Sequence, residues 1–376
     1  MTTTELTLPV DYDNAEMEAI GGFAGRLFES SLGAMEVLTV YVGLRTGAYA
    51  ALADGGELTV DELAKRASIH PRYAREWLEQ QTVAGIVECI DRTVAATDRR
   101  FVLPSAHAVV LLAPDHPAYT APLALACAGV GAVMQELVTA YRTGGGVPYS
   151  HYGTDFRDGQ AGFNRPSFVN LAASWLADGL STIDAVLRSS AAPRIADVGC
   201  GAGWSSISLA RAYPNVHVDG FDIDDASVAD ARRNASETGL TDRVRFEVRD
   251  AVSPLAHDDH AAYELVTIFE ALHDMSHPVQ ALQSCRAMLR EGGVVVVMDE
   301  RVADTFAESD GPFERFLYGA SSLHCLPVGM AEPDSAGTGA LMRPDVVMRY
   351  AHEAGFARVD VLAIEHDMYL FYALVP

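Results

Sequence analysis

Lysine is almost absent: Lys65 stands alone among 27 basic residues, set against 51 acids, for a net charge of -24 over 376 residues. That balance excludes a basic, phosphate-binding surface and with it nucleic acid as a partner. Acid-rich, lysine-poor surfaces suit work in high salt, where screening relieves self-repulsion. A GC-rich genome is a competing source of the same bias. Cysteine is sparse and scattered. Cys89, Cys127, Cys200, Cys285 and Cys325 form no C-x-x-C pair, which excludes a disulfide framework or a zinc site of ordinary spacing, so no metal is expected. No apolar stretch reaches the roughly 18 residues of a membrane span. The first residues carry acids, unlike the basic start of a signal peptide. The expectation is a soluble, cytoplasmic protein with no membrane partner.

What the sequence does have is a run of alternating glycines, Arg194-Ile-Ala-Asp-Val-Gly-Cys-Gly-Ala-Gly-Trp204. Ile195 and Val198 suit a strand covered on both faces. Gly199, Gly201 and Gly203 permit positive φ and close approach of a ligand. A helix starting near Trp204 would aim free N–H groups into the turn. The dinucleotide fingerprint G-x-G-x-x-G needs a third glycine at position 204, and tryptophan stands there.

Before this turn the chain reads as two regions. Residues 1–112 hold a tail and a small helical module. An apolar helix runs from Met35 to Leu44, and Thr59-Val-Asp-Glu62 forms a capping box. A helix starts at Pro71. Ile86–Ile90 and Arg100–Leu103 then pair as a hairpin. Two helices and a hairpin make a winged-helix pattern, but Lys65, Arg66, Arg72 and Arg75 are balanced by Asp61, Glu62, Glu76 and Glu79, a poor DNA reader. Residues 113–190 read as a helical linker or lid broken at Gly144-Gly-Gly146. Its aromatics, Tyr149 and Phe168 among them, either pack a domain join or roof a site.

After the turn, strands and helices alternate. The second strand ends in Asp222, about 20 residues beyond the glycines, where an acid can accept both ribose hydroxyls of a nucleoside. Asp224 and Asp225 are close competitors, and Asp222 is preferred because it directly follows the apolar strand. A third strand leads to Arg249-Asp250-Ala251. A fourth, Leu265–Phe269, is followed by Glu270-Ala-Leu-His-Asp274. Leu289-Arg-Glu-Gly-Gly293 turns into a fifth, and a final hairpin closes the chain. This alternation gives a doubly wound α/β sheet.

Four motifs in order (D-V-G-C-G-A-G, the acid Asp222, R-D-A with Asp250, and L-R-E-G-G) resemble those of class I S-adenosylmethionine (SAM)-dependent methyltransferases. The N-terminal module resembles the winged-helix dimerisation domain of small-molecule O-methyltransferases. The resemblance implies a seven-stranded Rossmann-like sheet with an antiparallel last strand over residues 191–376. It implies SAM as cofactor, S-adenosylhomocysteine (SAH) as product, a small-molecule acceptor and a homodimer. It assigns cofactor contacts to Asp197, Gly199, Gly201, Asp222, Ile223, Asp250, Ala251 and Phe269. Leu272-His-Asp274 is similar to the L-H-D motif whose histidine is the base, so His273 is the expected catalytic residue. The chain departs from that pattern at Met275, where an aromatic is usual, and no acid partner for His273 is evident. Methyl transfer removes positive charge from sulfur, so strong anions beside it would favour the ground state. The expected acceptor atom is a hydroxyl oxygen, with N-, C- or S-methylation left open. Two rival readings are a SAM-sensing regulator without catalysis and a nicotinamide-dependent oxidoreductase. The charge argues against the first and the glycine spacing against the second.

Overall fold

The computed structural model describes residues 12–306 and 311–376. The chain divides into two compact units, Met1–Leu112 and Ala113–Pro376. The start of the expected N-terminal tail, residues 1–11, lies outside the described residues.

In the first unit, helix α1 (Asn14–Arg45) begins far ahead of Met35, where the sequence pattern becomes regular. Its start is a capping box: Asp13 accepts from the Glu16 N–H while the Glu16 carboxylate accepts from the Asp13 N–H, each at 2.9 Å. Periodicity could not reveal this segment, because its large apolar residues are not buried. Met17, Phe23 and Phe28 are 54%, 59% and 68% exposed. The helix is also long and apolar enough to cross a membrane. A search for unbroken apolar runs passes over it, because Arg26, Glu29 and Glu36 interrupt it.

Helices α2 (Ala48–Gly55), α3 (Val60–Arg66) and α4 (Pro71–Val83) pack through buried Tyr49, Leu52, Leu63 and Leu78. Thr59 caps α3 in the expected box, its hydroxyl accepting from the Glu62 N–H at 3.3 Å. The Trp77 indole donates to the Thr39 carbonyl at 3.0 Å and ties α4 to α1. The wing is shorter than expected. Strands β1 (Glu88–Cys89) and β2 (Phe101–Val102) pair antiparallel before α5 (Ser105–Leu112).

The second unit opens with α6 (Pro122–Ala132), α7 (Met134–Thr143), α8 (Gly153–Gly179) and α9 (Ser181–Ser189). Next come β3 (Arg194–Val198), α10 (Trp204–Ala212), β4 (His217–Asp222), α11 (Asp225–Glu237) and β5 (Val244–Val248). Then follow β6 (Tyr263–Phe269), α12 (Pro278–Met288), β7 (Leu289–Glu300), α13 (Pro312–Ala320), α14 (Leu326–Gly329) and α15 (Pro344–Glu353). The hairpin β8 (Arg358–Val361) and β9 (Tyr369–Val375) ends the chain. Leu289–Gly293, expected as a turn, belongs to β7, and the pairing shifts register between Tyr263 and Leu265 to admit it.

The sheet order among the described residues is β5-β4-β3-β6-β7-β9-β8. The first five run parallel and β9 runs antiparallel to β7. This is the doubly wound seven-stranded sheet with a reversed closing strand. Every residue of β6 is buried, as a strand covered on both faces requires. The order reverses between β3 and β6, so the crevice that takes ligands opens at their carboxyl ends.

Candidate active site

The glycine turn leaves β3 at that crevice. Gly199, Gly201 and Gly203 have φ of +73°, +52° and +80°, a region closed to most side chains. A Cβ on Gly199 would stand 2.5 Å from that of Ala271, whereas one on Gly201 would meet nothing within 4 Å. Gly201 therefore presents bare backbone to open space. A Cβ on Gly203 would lie 2.5 Å from the Phe246 ring. Gly203→Ala should accordingly destabilise the fold by about 1–3 kcal/mol through strain alone, read as a lower denaturant midpoint. An unchanged midpoint would contradict the packing described.

Asp222, at the end of β4, holds the turn. One of its oxygens accepts from the Gly201 N–H at 2.8 Å and the other from the Asp224 N–H at 2.9 Å. Burial pushes its carboxyl up to about 6, with the N–H groups of Asp224 and Gly201 opposing. Asp250 accepts from the Val252 N–H at 3.0 Å. The cavity between these strand ends has a volume of about 380 Å³. Its walls include Gly199, Gly201, Asp222, Ile223, Asp250, Ala251 and Phe269. Ile223 is 59% exposed, which leaves it free to cover a ligand. Phe269 lies parallel to Phe168 at 6.0 Å between centroids. Phe168 and Tyr149 both line the cavity, so two of the aromatics from the helical break do face it.

Asp197 is placed differently from the other expected contacts. It is buried beneath the turn and lies off the cavity wall. Its carboxylate accepts from Ser205, Ser206 and Thr267 hydroxyls at 2.6, 2.6 and 2.7 Å. It ties α10 and β6 to the base of the turn, and burial raises its pKa against those hydrogen bonds.

His273 sits in the single turn Leu272–Asp274 after β6 and is 3% exposed. Contrary to the sequence reading, it has acid partners. Its Nδ1 lies 2.8 Å from Asp299 Oδ1, and its Nε2 3.3 Å from Asp274 Oδ1. Asp299 comes from the end of the neighbouring strand β7. Its one sequence signal is an acid directly after a buried run, the same signal that marks Asp222. Burial disfavours the imidazolium, but Asp299 and then Asp274 outweigh it and raise the pKa well above the ordinary value. Asp274 lines the cavity and His273 lies behind that lining.

Glu270 was also missed. It takes the left-handed backbone conformation with φ +57° and lines the cavity. Burial, and after it the carboxyl of Glu300, raise its pKa strongly. His324 and Cys325 do not form a reactive pair. Burial pushes His324 down to about 4 and Cys325 up to about 12, and the His324 ring lies stacked on Phe156 at 4.0 Å.

Residues 189–321 match the family described as a methyltransferase domain, and residues 34–112 match the Rv2258c-like winged HTH domain. A ubiquinone biosynthesis O-methyltransferase of Shewanella pealeana is 33% identical over 189 residues, covering 50% of this chain and 73% of the relative. The chain belongs to the class I SAM-dependent methyltransferases. A second relative of the same description, from Actinobacillus pleuropneumoniae, is 29% identical over 147 residues, which span 62% of its length and 35% of this chain. The fold is shared with solved methyltransferases. The mitomycin 7-O-methyltransferase MmcR superposes with a TM-score of 0.68 at 17% identity, covering 96% of this chain and 100% of that one. Human N-acetylserotonin methyltransferase, solved with SAM, gives 0.61 at 17% identity, covering 98% and 99%.

The methyltransferase's own residues fit the cofactor. Gly201 leaves its backbone uncovered on the cavity wall, where a Cβ would stand in the open space. Asp222 retains lone pairs beyond the two N–H groups that it accepts. The cavity is also lined by apolar Ile223, Ala251 and Phe269, as an adenosine requires.

Proposed function

We propose that this methyltransferase methylates a hydroxyl of a small-molecule acceptor. The observation that carries the reading is the buried His273–Asp299 pair, 2.8 Å apart, behind the wall of the glycine-turn cavity. When bound, SAM supplies an activated methyl group open to in-line displacement. Asp222 holds the ribose hydroxyls, Asp250 the adenine amino group, and Ile223 and Ala251 the ring faces. Phe269 and Glu270 line the cavity, and the burial that raises the Glu270 pKa disfavours a strong anion where one would favour the charged sulfur of the ground state. Asp299 holds the Nδ1 proton, so Nε2 is the nitrogen left to take the acceptor's proton once its own has been lost, and the two carboxylates stabilise the imidazolium that results. The curated relatives carry the name O-methyltransferase, which favours oxygen over nitrogen, carbon or sulfur. Methyl transfer from labelled SAM to a panel of phenols, alcohols, amines and thiols tests this. Transfer confined to amines or thiols would overturn the choice of oxygen.

The Asp222 pKa gives a pH dependence. Only the carboxylate accepts both ribose hydroxyls, so affinity for SAH should be flat above about pH 7. It should fall, by up to about tenfold per pH unit, as pH drops through the pKa. Asp222→Asn should bind weakly at every pH, without that slope. A pH-independent wild-type affinity between about pH 5 and pH 8 would contradict the role.

The protein works as a homodimer in the cytoplasm in this reading, with no nucleic acid or membrane partner. The support is α1, whose exposed apolar residues Met17, Ile20, Leu27, Leu32, Met35 and Leu38 recur at helical spacing. An apolar stripe of that length is what a second copy would cover. Light scattering should give twice the chain mass, and Phe28→Glu with Met35→Glu should return a monomer. A wild-type monomer that binds lipid vesicles would instead assign α1 to a membrane.

A further inference from the structure

His273, Asp274 and Cys325 bring one imidazole, one carboxylate and one thiol together, with ligand atoms all within 4.8 Å of one another. The sequence conceals this set, because Cys325 arrives from the π-helical turn Ser321–Cys325, far along the chain from the Leu272–Asp274 turn. We propose that the three residues form a binding site for a borderline-soft divalent cation, with zinc as the natural occupant.

Four features carry the proposal. First, His273 Nε2 and Asp274 Oδ1 face each other at 3.3 Å, yet Asp274 Oδ1 is buried without a hydrogen-bond partner. Two atoms of a zinc tetrahedron with bonds of about 2.0–2.2 Å stand about 3.3–3.6 Å apart, so the pair already has the spacing of neighbouring ligands. Second, the other nitrogen of His273 is hydrogen-bonded to Asp299 Oδ1 at 2.8 Å. A carboxylate behind the ring is what orients a ligating histidine and strengthens it. Third, charge balances: a thiolate and a carboxylate neutralise a dication, and the imidazole binds neutral, with the Cys325 thiol proton and the His273 Nε2 proton both released to solvent. Fourth, Asp274 lines the cavity, so a fourth coordination position can open toward it. The nitrogen and sulfur donors exclude magnesium and calcium, which take oxygen ligands.

The site does not depend on the methyl-transfer reading. It does constrain it, because a ligated Nε2 cannot take a proton. The zinc-loaded and base-competent states therefore exclude one another.

The test uses the full-length protein, stripped with chelator and titrated with cobalt(II). The expected result is a near-ultraviolet sulfur-to-cobalt band that saturates at one metal per chain and is bleached by zinc. Cys325→Ser should lose the band. Asp274→Asn should keep it with affinity weaker by about tenfold or more. Far-ultraviolet circular dichroism checks that each variant is folded. Absence of the band in the wild type overturns the proposal. So does a band that persists in Cys325→Ser, which would assign the metal to another cysteine.

Discussion

Replacing His273 should lower turnover of a hydroxyl acceptor by about 10²- to 10⁴-fold, the contribution of a positioned general base, while leaving SAH affinity unchanged. The asymmetry follows from the geometry. His273 lies off the cavity wall, whereas the cofactor contacts line it. His273→Ala also strands Asp299 without its partner, and breaking a buried pair in this way costs about 3–5 kcal/mol. Asp299 is 0% exposed, so the full penalty applies. His273→Gln retains a donor for Asp299 and separates lost base from lost fold. Both variants should bind SAH as the wild type does and turn over slowly. Turnover within about threefold of wild type in His273→Gln would mean that positioning and desolvation carry the reaction alone, worth several kcal/mol by themselves.

Asp222→Ala should weaken SAM and SAH together by about a hundredfold or more. Two hydrogen bonds to a carboxylate contribute about 1.5–3 kcal/mol each, and each tenfold in affinity is about 1.4 kcal/mol. The same carboxylate accepts the N–H groups of Gly201 and Asp224, so its loss also frees the turn that the cofactor needs. Calorimetric titration reads both ligands. A loss under about threefold, or a loss for SAM with none for SAH, would show that Asp222 does not hold the ribose.

Much of this was legible in the chain because it depends on local pattern. Alternating glycines demand the left-handed turn that Gly199, Gly201 and Gly203 adopt, and the apolar strands between capped helices fix a doubly wound sheet. The acid after a buried strand put Asp222 beside that turn for the same reason. What was hidden depends on contact between distant segments. Asp197 stands next to the glycines in sequence, yet its side chain turns inward to three hydroxyls. Asp299 reaches His273 only because β6 and β7 are neighbours. Cys325 comes to the same spot through the insert after β7. The α1 helix was hidden for the opposite reason: its apolar residues face outward, so no buried face disciplines their spacing.

The most direct test of the central claim is calorimetric titration of the wild-type protein with SAH and with NAD. The claim is that the glycine-turn cavity holds adenosyl sulfur ligands. The account predicts one SAH per chain, with a Kd of about micromolar (near -8 kcal/mol), and no heat from NAD, since Trp204 occupies the position of the third dinucleotide glycine. NAD binding without SAH binding would contradict it and return the turn to nicotinamide chemistry.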